Sequence, residues 1–171
     1  MAAALALVRP GPEHLQGYVD ALKRGWAFNL SGPGELLRQI EESPEAFLRA
    51  CNDALALPVH RITRWIWDGE FCGEMHFRWQ EGTTGLPPTC LGHIGYSVVP
   101  WKQKRGYATA ALARLLPEAA KRGLRFVEIV TNLENTASQK VVLNNGGVLV
   151  ERFEKLPANG GGTALRFRIS L

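Results

Sequence analysis

Hydrophobic residues recur along the chain with two periods, one typical of helices and one typical of strands. Apolar side chains return at helical spacing up to about residue 50, whereas branched and aromatic residues dominate from residue 59. Asp68-Gly69 is a strong signal for a hairpin turn between two strands. The elements predicted in this half are a strand at 5–9, a helix ending near Arg24, a loop at Asn29–Gly34, one or two helices within 36–48, and strands at 59–67 and 71–79.

The second half of the chain alternates strands with helices. A strand at 91–99 stops at Pro100, and a helix that contains Pro117 begins near Gly106. A strand at 126–131, a helix at 135–145 and two strands at 148–155 and 164–169 complete the predicted elements. This order predicts an α+β fold with three layers, α/β/α, in which helices flank a mixed, mostly antiparallel sheet of about six to seven strands.

The predicted strand at 71–79 has one apolar and one polar face, because successive side chains of a strand point to opposite sides. The apolar face would carry Phe71, Gly73, Met75, Phe77 and Trp79. The opposite face would carry Cys72, Glu74, His76 and Arg78. Such a polar face requires a water-filled cleft or polar partners.

Composition narrows the classes of protein that the chain can represent. A length of 171 residues and a hydrophobic content of 46% predict a single domain spanning 1–171. The net charge is +4 and the basic residues are scattered, which favours anionic small molecules over nucleic acid. Cys51, Cys72 and Cys90 lack the spacing of a metal site or a disulfide framework. Because Arg9-Pro10 interrupts the apolar start, we expect a cytoplasmic protein without a membrane segment.

The segment after the strand at 91–99 has a composition suited to binding a pyrophosphate. Lys102, Lys104 and Arg105 precede Gly106, where a helix is predicted to begin. A helix amino terminus presents unpaired N–H groups and the positive end of the helix dipole, and glycine lets an anion approach the backbone closely. Taken alone, the turn is equally consistent with an ordinary capped helix start.

Gln103-x-x-Gly106-x-Ala108 resembles the Q/R-x-x-G-x-G/A pyrophosphate loop of the GNAT N-acetyltransferase superfamily. In that family a strand precedes the loop, a helix follows it, and a later helix begins with a segment similar to Asn135-x-x-Ser138. The likeness covers roughly residues 91 to 150 and extends to a bacterial subgroup of predicted acetyltransferases. It implies a GNAT fold and an enzyme that transfers the acetyl group of acetyl-CoA, by direct attack, to a primary amine of a small molecule, peptide or protein.

The resemblance also implies which residues contact acetyl-CoA. Backbone N–H groups of the turn would hold the pyrophosphate, the end of the preceding strand would pair with the pantetheine arm, and the later helix would contact the cofactor. Asn135 is also consistent with an ordinary helix cap, and Val98 and Val99 with a buried strand. The implied residues are Tyr96, Ser97, Val98, Val99, Gln103, Lys104, Arg105, Gly106, Tyr107, Ala108, Thr109, Asn135 and Ser138.

Acetyl transfer to an amine requires a group that removes a proton from the amine. In several GNAT enzymes a glutamate on the strand before the loop does this, and the resemblance implies His93 at that position. A neutral imidazole can do the same work directly or through water. Glu74 and His76, on the polar face of the neighbouring strand, are reserve candidates.

The position of the general acid departs from the family pattern. Many GNAT enzymes have a tyrosine seven residues after the asparagine of the second helix, where this chain has Val142. Tyr96 and Tyr107 are possible substitutes. The departure leaves a second hypothesis open, a GNAT-fold module that binds acyl-CoA with weak or no catalysis. A nucleic-acid binder is disfavoured because the sequence has no basic stripe.

The acceptor amine is not identified by the sequence. In GNAT proteins its identity is usually set by the loop between the first two helices and by the last hairpin, here roughly Trp26–Gly34 and Pro157–Gly162. Neither segment has an acidic cluster that would indicate a polycationic substrate. We expect an amine-bearing acceptor, no metal, and a monomer or a homodimer.

Overall fold

The computed structural model describes residues 4–28, 31–52, 54–56, 58–87 and 90–171. Strands and helices alternate in these ranges much as the sequence predicts. The elements are β1 (Ala6–Val8), α1 (Pro12–Lys23), α2 (Gly32–Glu42), α3 (Pro44–Asn52), β2 (Ala54–Ala56), β3 (Val59–Trp67), β4 (Phe71–Trp79), β5 (Ile94–Val98), α4 (Tyr107–Lys121), β6 (Phe126–Asn132), α5 (Thr136–Leu143), β7 (Val148–Glu154) and β8 (Thr163–Ser170).

The strands lie in two antiparallel sheets. One has the order β1-β3-β4-β5 with β2 also paired to β3, and the other has the order β6-β8-β7. The two sheets meet at His93, whose N–H donates to Glu128 O at 2.8 Å and whose carbonyl accepts from Arg78 N at 2.7 Å. The α+β class and the antiparallel strands are confirmed, but the single mixed sheet is not found among the described strands, because β5 and β6 separate beyond His93.

Helices cover both faces of the sheets, as the predicted three layers require. On one face α1, α2 and α3 bury an aromatic cluster that includes Tyr18, Trp26 and Trp65. On the other face α4 and α5 bury a cluster that includes Met75 and Leu112. In the described ranges, no helix is both long and apolar enough to cross a membrane.

A bulge in β4 changes the faces that simple alternation predicts. Ile66 pairs with Gly73 and the next residue of β3 pairs with Phe71, so Cys72 is an extra residue on β4. Phe71 therefore packs with α1 and the aromatic cluster, whereas Met75 packs on the opposite side. A Cβ at Gly73 would lie 2.1 Å from Ser97 O, so only glycine allows β4 and β5 to approach this closely.

The structure differs most clearly from the prediction in three places. Helix α2 begins at Gly32, inside the segment 29–34 predicted as a loop, and residues 29 and 30 of that segment lie outside the described residues. The strand expected at 91–99 is confined to Ile94–Val98. The short strand β2 has no counterpart in the prediction.

Candidate active site

A cleft of about 700 Å³ opens where β5 separates from the second sheet. Its walls are the end of β5, the turn before α4 and the first turn of α5. All the residues predicted to contact the cofactor line this cleft except Val99 and Arg105. Val99 is fully buried against the aromatic cluster, so it cannot contact a cofactor directly.

The backbone of the turn contains left-handed residues, which also occur in anion-binding loops. Lys104 has a φ of 60° and Gly106 a φ of 76°, so two residues of this short segment are left-handed. No side chain caps the amino terminus of α4 in this part of the structure, which leaves the N–H groups of its first turn available. A Cβ placed on Gly106 would meet no atom within 4 Å, so the space above the turn is open. An anion can therefore reach these N–H groups.

An ion cluster holds the β3–β4 hairpin against this turn. Lys102 Nζ lies 3.0 Å from both carboxylate oxygens of Asp68 and 3.0 Å from Glu70 Oε2. Tyr107 OH donates to Asp68 Oδ2 at 2.6 Å. Desolvation alone would raise the pKa of Asp68, but the hydrogen bonds from Tyr107 and Lys102 outweigh it and lower the pKa to about 2.

This cluster corrects the interpretation of two residues. The sequence presents Lys102 as one of three free charges beside the turn, whereas its ammonium group is paired with carboxylates. It presents Asp68 only as a hairpin residue, although the carboxylate also binds the first residue of α4. Lys104 and Arg105 are exposed and remain the basic side chains of the turn.

Two hydroxyl groups meet across the cleft between β5 and α5. Tyr96 OH lies 2.8 Å from Ser138 Oγ and donates to Ser138 O at 3.2 Å. Burial raises the pKa of Tyr96 to about 12, although the hydrogen bond with Ser138 acts in the opposite direction. Asn135 caps α5 by accepting from Ser138 N at 3.1 Å. These contacts hold α5 against the end of β5.

Val142 does not occupy the vacant position of a general acid. Its side chain is 0% exposed and belongs to the core under α4 and α5. The face of α5 that lines the cleft carries Ser138 and Val141 instead. The side chain at the position that corresponds to the family tyrosine is therefore turned into the core and not toward the cleft.

A second cavity, of about 360 Å³, lies between α2, α3 and the β3–β4 pair. Glu74 and His76 line it, with His76 Nε2 3.3 Å from Glu74 Oε1 and Glu74 only 5% exposed. Glu74 pairs with Ser97 of β5, and directly paired residues share a face of the sheet. Ser97 lines the first cleft and Glu74 lines the second cavity, so this residue pair lies between the two spaces. Within the described ranges, no group of three or more ligand-type side chains is placed to hold a metal.

His93, predicted as the base, has both ring nitrogens bound to the backbone. Nδ1 accepts from Glu128 N at 2.9 Å, so Nε2 carries the proton and lies 2.9 Å from Thr84 O. The side chain is 1% exposed, and burial lowers the pKa of its imidazole. His93 does not line the cleft, and neither nitrogen is free to accept a proton from a substrate. Its geometry is that of a link between the two sheets.

The first of the two predicted acceptor loops approaches this site in its described part. Trp26 Nε1 donates to Ser97 Oγ at 3.4 Å, and the ring of Phe28 contacts His76 edge-on at 4.9 Å between centroids. The rest of that loop includes residues 29 and 30, outside the described residues. In the last hairpin, Asn159 lines a different cavity, beside Arg78.

Comparison with known proteins gives one family and many similar structures. A family model described as an acetyltransferase (GNAT) domain matches residues 5–148. None of the curated proteins compared matches the chain.

The similar structures cover nearly the whole chain at low identity. The microcin self-immunity acetyltransferase MccE, in complex with acetyl-CoA and AMP, is 14% identical with a TM-score of 0.67 and coverage of 98% of this chain and 92% of its own. The ribosomal alpha-N-protein acetyltransferase RimL, in complex with coenzyme A, is 17% identical with a TM-score of 0.63 and coverage of 100% and 98%. A chimera of spermidine N-acetyltransferase SpeG from Vibrio cholerae and hSSAT is 16% identical with a TM-score of 0.64 and coverage of 97% and 95%. At these identities the likeness shows the fold alone.

Proposed function

Because the chain belongs to the GNAT acetyltransferase family, whose enzymes use acetyl-CoA as co-substrate, we propose that it transfers the acetyl group of acetyl-CoA to a primary amine by direct attack. The observation that carries the proposal is the juxtaposition of two features, an open cleft beside an anion-binding turn and a buried carboxylate on the paired strand. The names of RimL and SpeG, which specify a protein amino group and spermidine, are consistent with an amine acceptor.

The cleft supplies candidate contacts for the pyrophosphate and for the pantetheine arm of the co-substrate. The N–H groups from Gln103 to Thr109 would bind the pyrophosphate, with Lys104 and Arg105 adding charge around it. Gln103 Nε2 donates to Val98 O at 3.0 Å and fixes the end of β5 beside the turn. When bound, acetyl-CoA supplies an acetyl group activated as a thioester. The free edge of β5 at Tyr96–Val98 would align the arm that carries it.

The proton of the acceptor amine would pass to Glu74 and His76. A primary amine has an ordinary pKa of about 10.4 and reaches the site mostly as a cation. The buried carboxylate of Glu74 would accept one proton of this cation, and the imidazole of His76, with Nε2 3.3 Å from Glu74 Oε1, would pass that proton on to solvent. Glu74 also raises the pKa of the Tyr18 hydroxyl, after burial itself, so the phenol stays neutral beside the carboxylate.

Tyr96 would stabilise the departing sulfur without giving up its proton. A thiol has an ordinary pKa of about 8.5, so full transfer from a phenol with a pKa of about 12 would be unfavourable by about 5 kcal/mol. A hydrogen bond from Tyr96 or Ser138 carries no such cost, and solvent can supply the proton afterwards. The hydroxyl pair therefore replaces the acid that the family pattern places on α5.

The experiment is release of free coenzyme A from acetyl-CoA with a panel of primary amines, amino acids and peptides. Glu74→Gln should lower kcat/KM by about 10² to 10⁴ while the Kd for acetyl-CoA stays within a few-fold of wild type. Glu42→Gln is the matched control, because Glu42 lines the same cavity at its exposed rim. Acetyl-CoA binding without turnover for any amine would favour the acyl-CoA-binding module instead.

A further inference from the structure

A cavity of about 340 Å³ lies beside the first residues of β5 and is called here the Arg78 cavity. Gly95 of β5 and Val130 of β6 form two of its walls, Arg78 contributes a guanidinium group, and Asn159 contributes an amide. Gly95 is followed along β5 by Tyr96, which lines the cofactor cleft, so the two spaces are neighbours. A volume above about 300 Å³ is enough for a small ligand.

Arg78 continues a row of polar side chains on one face of β4. It follows Glu74 and His76 at alternate positions, and the β3–β4 ladder has no register shift between these residues. At the strand rise of about 3.3 Å per residue, Arg78 lies about 7 Å along β4 from His76. The proposed base and this guanidinium group are therefore on the same face of the sheet.

Gly95 leaves the space between His76 and the Arg78 cavity open on the side of β5. It pairs directly with His76 in the β4–β5 ladder, and directly paired residues share a face. Because Gly95 has no side chain, β5 places only backbone between the His76 imidazole and this cavity. The ring of Phe28 borders the space, with Cζ 3.6 Å from the position of a Cβ at Gly95 and the ring edge-on to His76. A ligand beside this ring can contact His76 and Arg78 together.

The guanidinium group of Arg78 has the capacity to bind an anion. In the described part of the chain its side chain forms one hydrogen bond, from Nη1 to Gly92 O at 3.3 Å, and no ion pair. Burial lowers the pKa of Arg78, and Arg61, its partner on β3, acts in the same direction. Outside the described ranges Asp53 alone is acidic, and its neighbour Ala54 lies on β2, two strands from Arg78. A bound anion would offset both the burial and the repulsion.

Arg166, which contacts the wall of the same cavity, shows the contrast. Its Nη1 lies 3.1 Å from Leu91 O and 3.1 Å from Glu128 Oε2, and its Nε donates to Glu151 Oε2 at 2.8 Å. Two carboxylates of the fold therefore match the charge of Arg166. Arg78 has no such partner among the described residues.

We propose that Arg78 binds a carboxylate group of the acceptor whose amine lies at Glu74 and His76. The position of the amine rests on the proposed function, whereas carboxylate binding at Arg78 does not. With Nη1 bound to Gly92 O, the edge formed by Nε and Nη2 remains for the two oxygens of one carboxylate. The substrate class is an amine that also carries a carboxylate, and its products are the N-acetylated acid and coenzyme A.

The binding part is tested without turnover, by calorimetric titration of N-acetyl-ω-amino acids into the full chain saturated with coenzyme A. In a series of increasing chain length, one acid should bind about tenfold or more tightly than its neutral carboxamide, as expected for a charge-assisted hydrogen bond. Arg78→Gln should abolish this difference. Arg78→Lys, which keeps the charge without the planar fork, should retain part of it and is the second variant if the glutamine variant does not fold.

Arg152→Gln removes an exposed arginine of β7 and is the matched control, which should keep the difference between acid and carboxamide. Equal binding of every acid and its carboxamide by the wild type would overturn the proposal. A difference that persists unchanged in Arg78→Gln would overturn it as well, because another group would then bind the carboxylate.

The acceptor part is tested by comparing kcat/KM for ω-amino acids and for their carboxamides. The wild type should prefer one acid by about tenfold or more, and Arg78→Gln should reduce this ratio to about one while Arg152→Gln keeps it. Turnover without such a preference, or a preference for aminoalkyl phosphonates, refutes a carboxylate-bearing acceptor and leaves the proposed acetyl transfer intact. Binding of the acids that depends on Arg78, without turnover of any amine, contradicts the proposed function and leaves the carboxylate site established.

Discussion

Gly106 gives the sharpest test of the cofactor site, because charge can be changed there without changing shape. Its φ of 76° and the open space around its Cβ allow Asn or Asp, the two residues that adopt left-handed conformations most readily. Both Gly106→Asn and Gly106→Asp would incur the same conformational strain. Only the aspartate variant would add a negative charge at the amino terminus of α4, where the turn is open to an anion.

The size of the effect follows from Coulomb's law and the geometry of the turn. Two like unit charges about 4 Å apart repel by about 4 kcal/mol at an effective dielectric constant of about 20. The side chains of both variants can accept hydrogen bonds from the free N–H groups of the first turn of α4, so only the charge of the aspartate distinguishes them. We therefore expect Gly106→Asp to weaken acetyl-CoA binding by about 100-fold or more relative to Gly106→Asn.

The assay is thermal unfolding with and without acetyl-CoA, supported by calorimetric Kd values. At about 100 times Kd, acetyl-CoA should stabilise the wild type by about 2.7 kcal/mol, which is about 5 to 10 °C in Tm for a domain of this size. Gly106→Asn should keep most of this shift and Gly106→Asp should lose it. Equal shifts for the two variants would refute a pyrophosphate at this turn, and no shift for the wild type would refute acetyl-CoA binding altogether.

Three further predictions concern residues that support the site. Asp68→Asn should lower the free energy of unfolding by about 1 to 2 kcal/mol at pH 7, allowing for solvent screening. Because the pKa of Asp68 is lower in the folded than in the unfolded protein, the difference from wild type should vanish as the pH falls from about 4 to about 2 in urea titrations. Asp20→Asn, at an exposed position, is the control and should show no such pH dependence. His93→Ala should lower the free energy of unfolding by about 2 to 4 kcal/mol, because it leaves the Glu128 N–H and Thr84 O without partners. The protein that remains folded should keep kcat/KM within a few-fold of wild type. Loss of turnover at unchanged stability would instead identify His93 as the base. Gly73→Ala should lower both Tm and affinity for acetyl-CoA, because its Cβ would collide with Ser97 O, and an unchanged affinity would show that β5 tolerates the displacement.

The elements that the sequence predicts well are those whose local signals agree with their packing. The bounds of β3 and β4 match the prediction because branched and aromatic residues fill both strands and Asp68-Gly69 forms the turn between them. Helix α2 begins earlier than predicted. The prediction misses its start because Gly32-Pro33-Gly34 has a composition typical of a loop. Proline is nevertheless compatible with the first turn of a helix, where its missing N–H would have no partner.

The position of the basic turn before α4 could be predicted, but its charge balance could not. Composition places Lys102, Lys104 and Arg105 together, and only the fold brings Asp68 to the first of them. Asp68 lies 34 residues before Lys102 in the chain, in the turn between β3 and β4. An ion pair between residues so far apart in the chain leaves no pattern in the local sequence from which it could be predicted. The sequence therefore overstates the free positive charge of the turn.

The choice between His93 and Glu74 as the candidate base depends on strand pairing. It differs from the choice that their distances in sequence from the turn before α4 would suggest. His93 is closer in sequence to the turn, but it sits where the two sheets meet and the backbone takes both its nitrogens. Glu74 is further away in sequence, yet the antiparallel register puts it opposite Ser97, at the wall of the cleft. The bulge at Cys72 also matters, because it resets the alternation of β4 so that Phe71 and Glu74, three residues apart, lie on the same face. A single extra residue thus decides that Glu74, and not an apolar side chain, lies on the face of β4 that lines the second cavity.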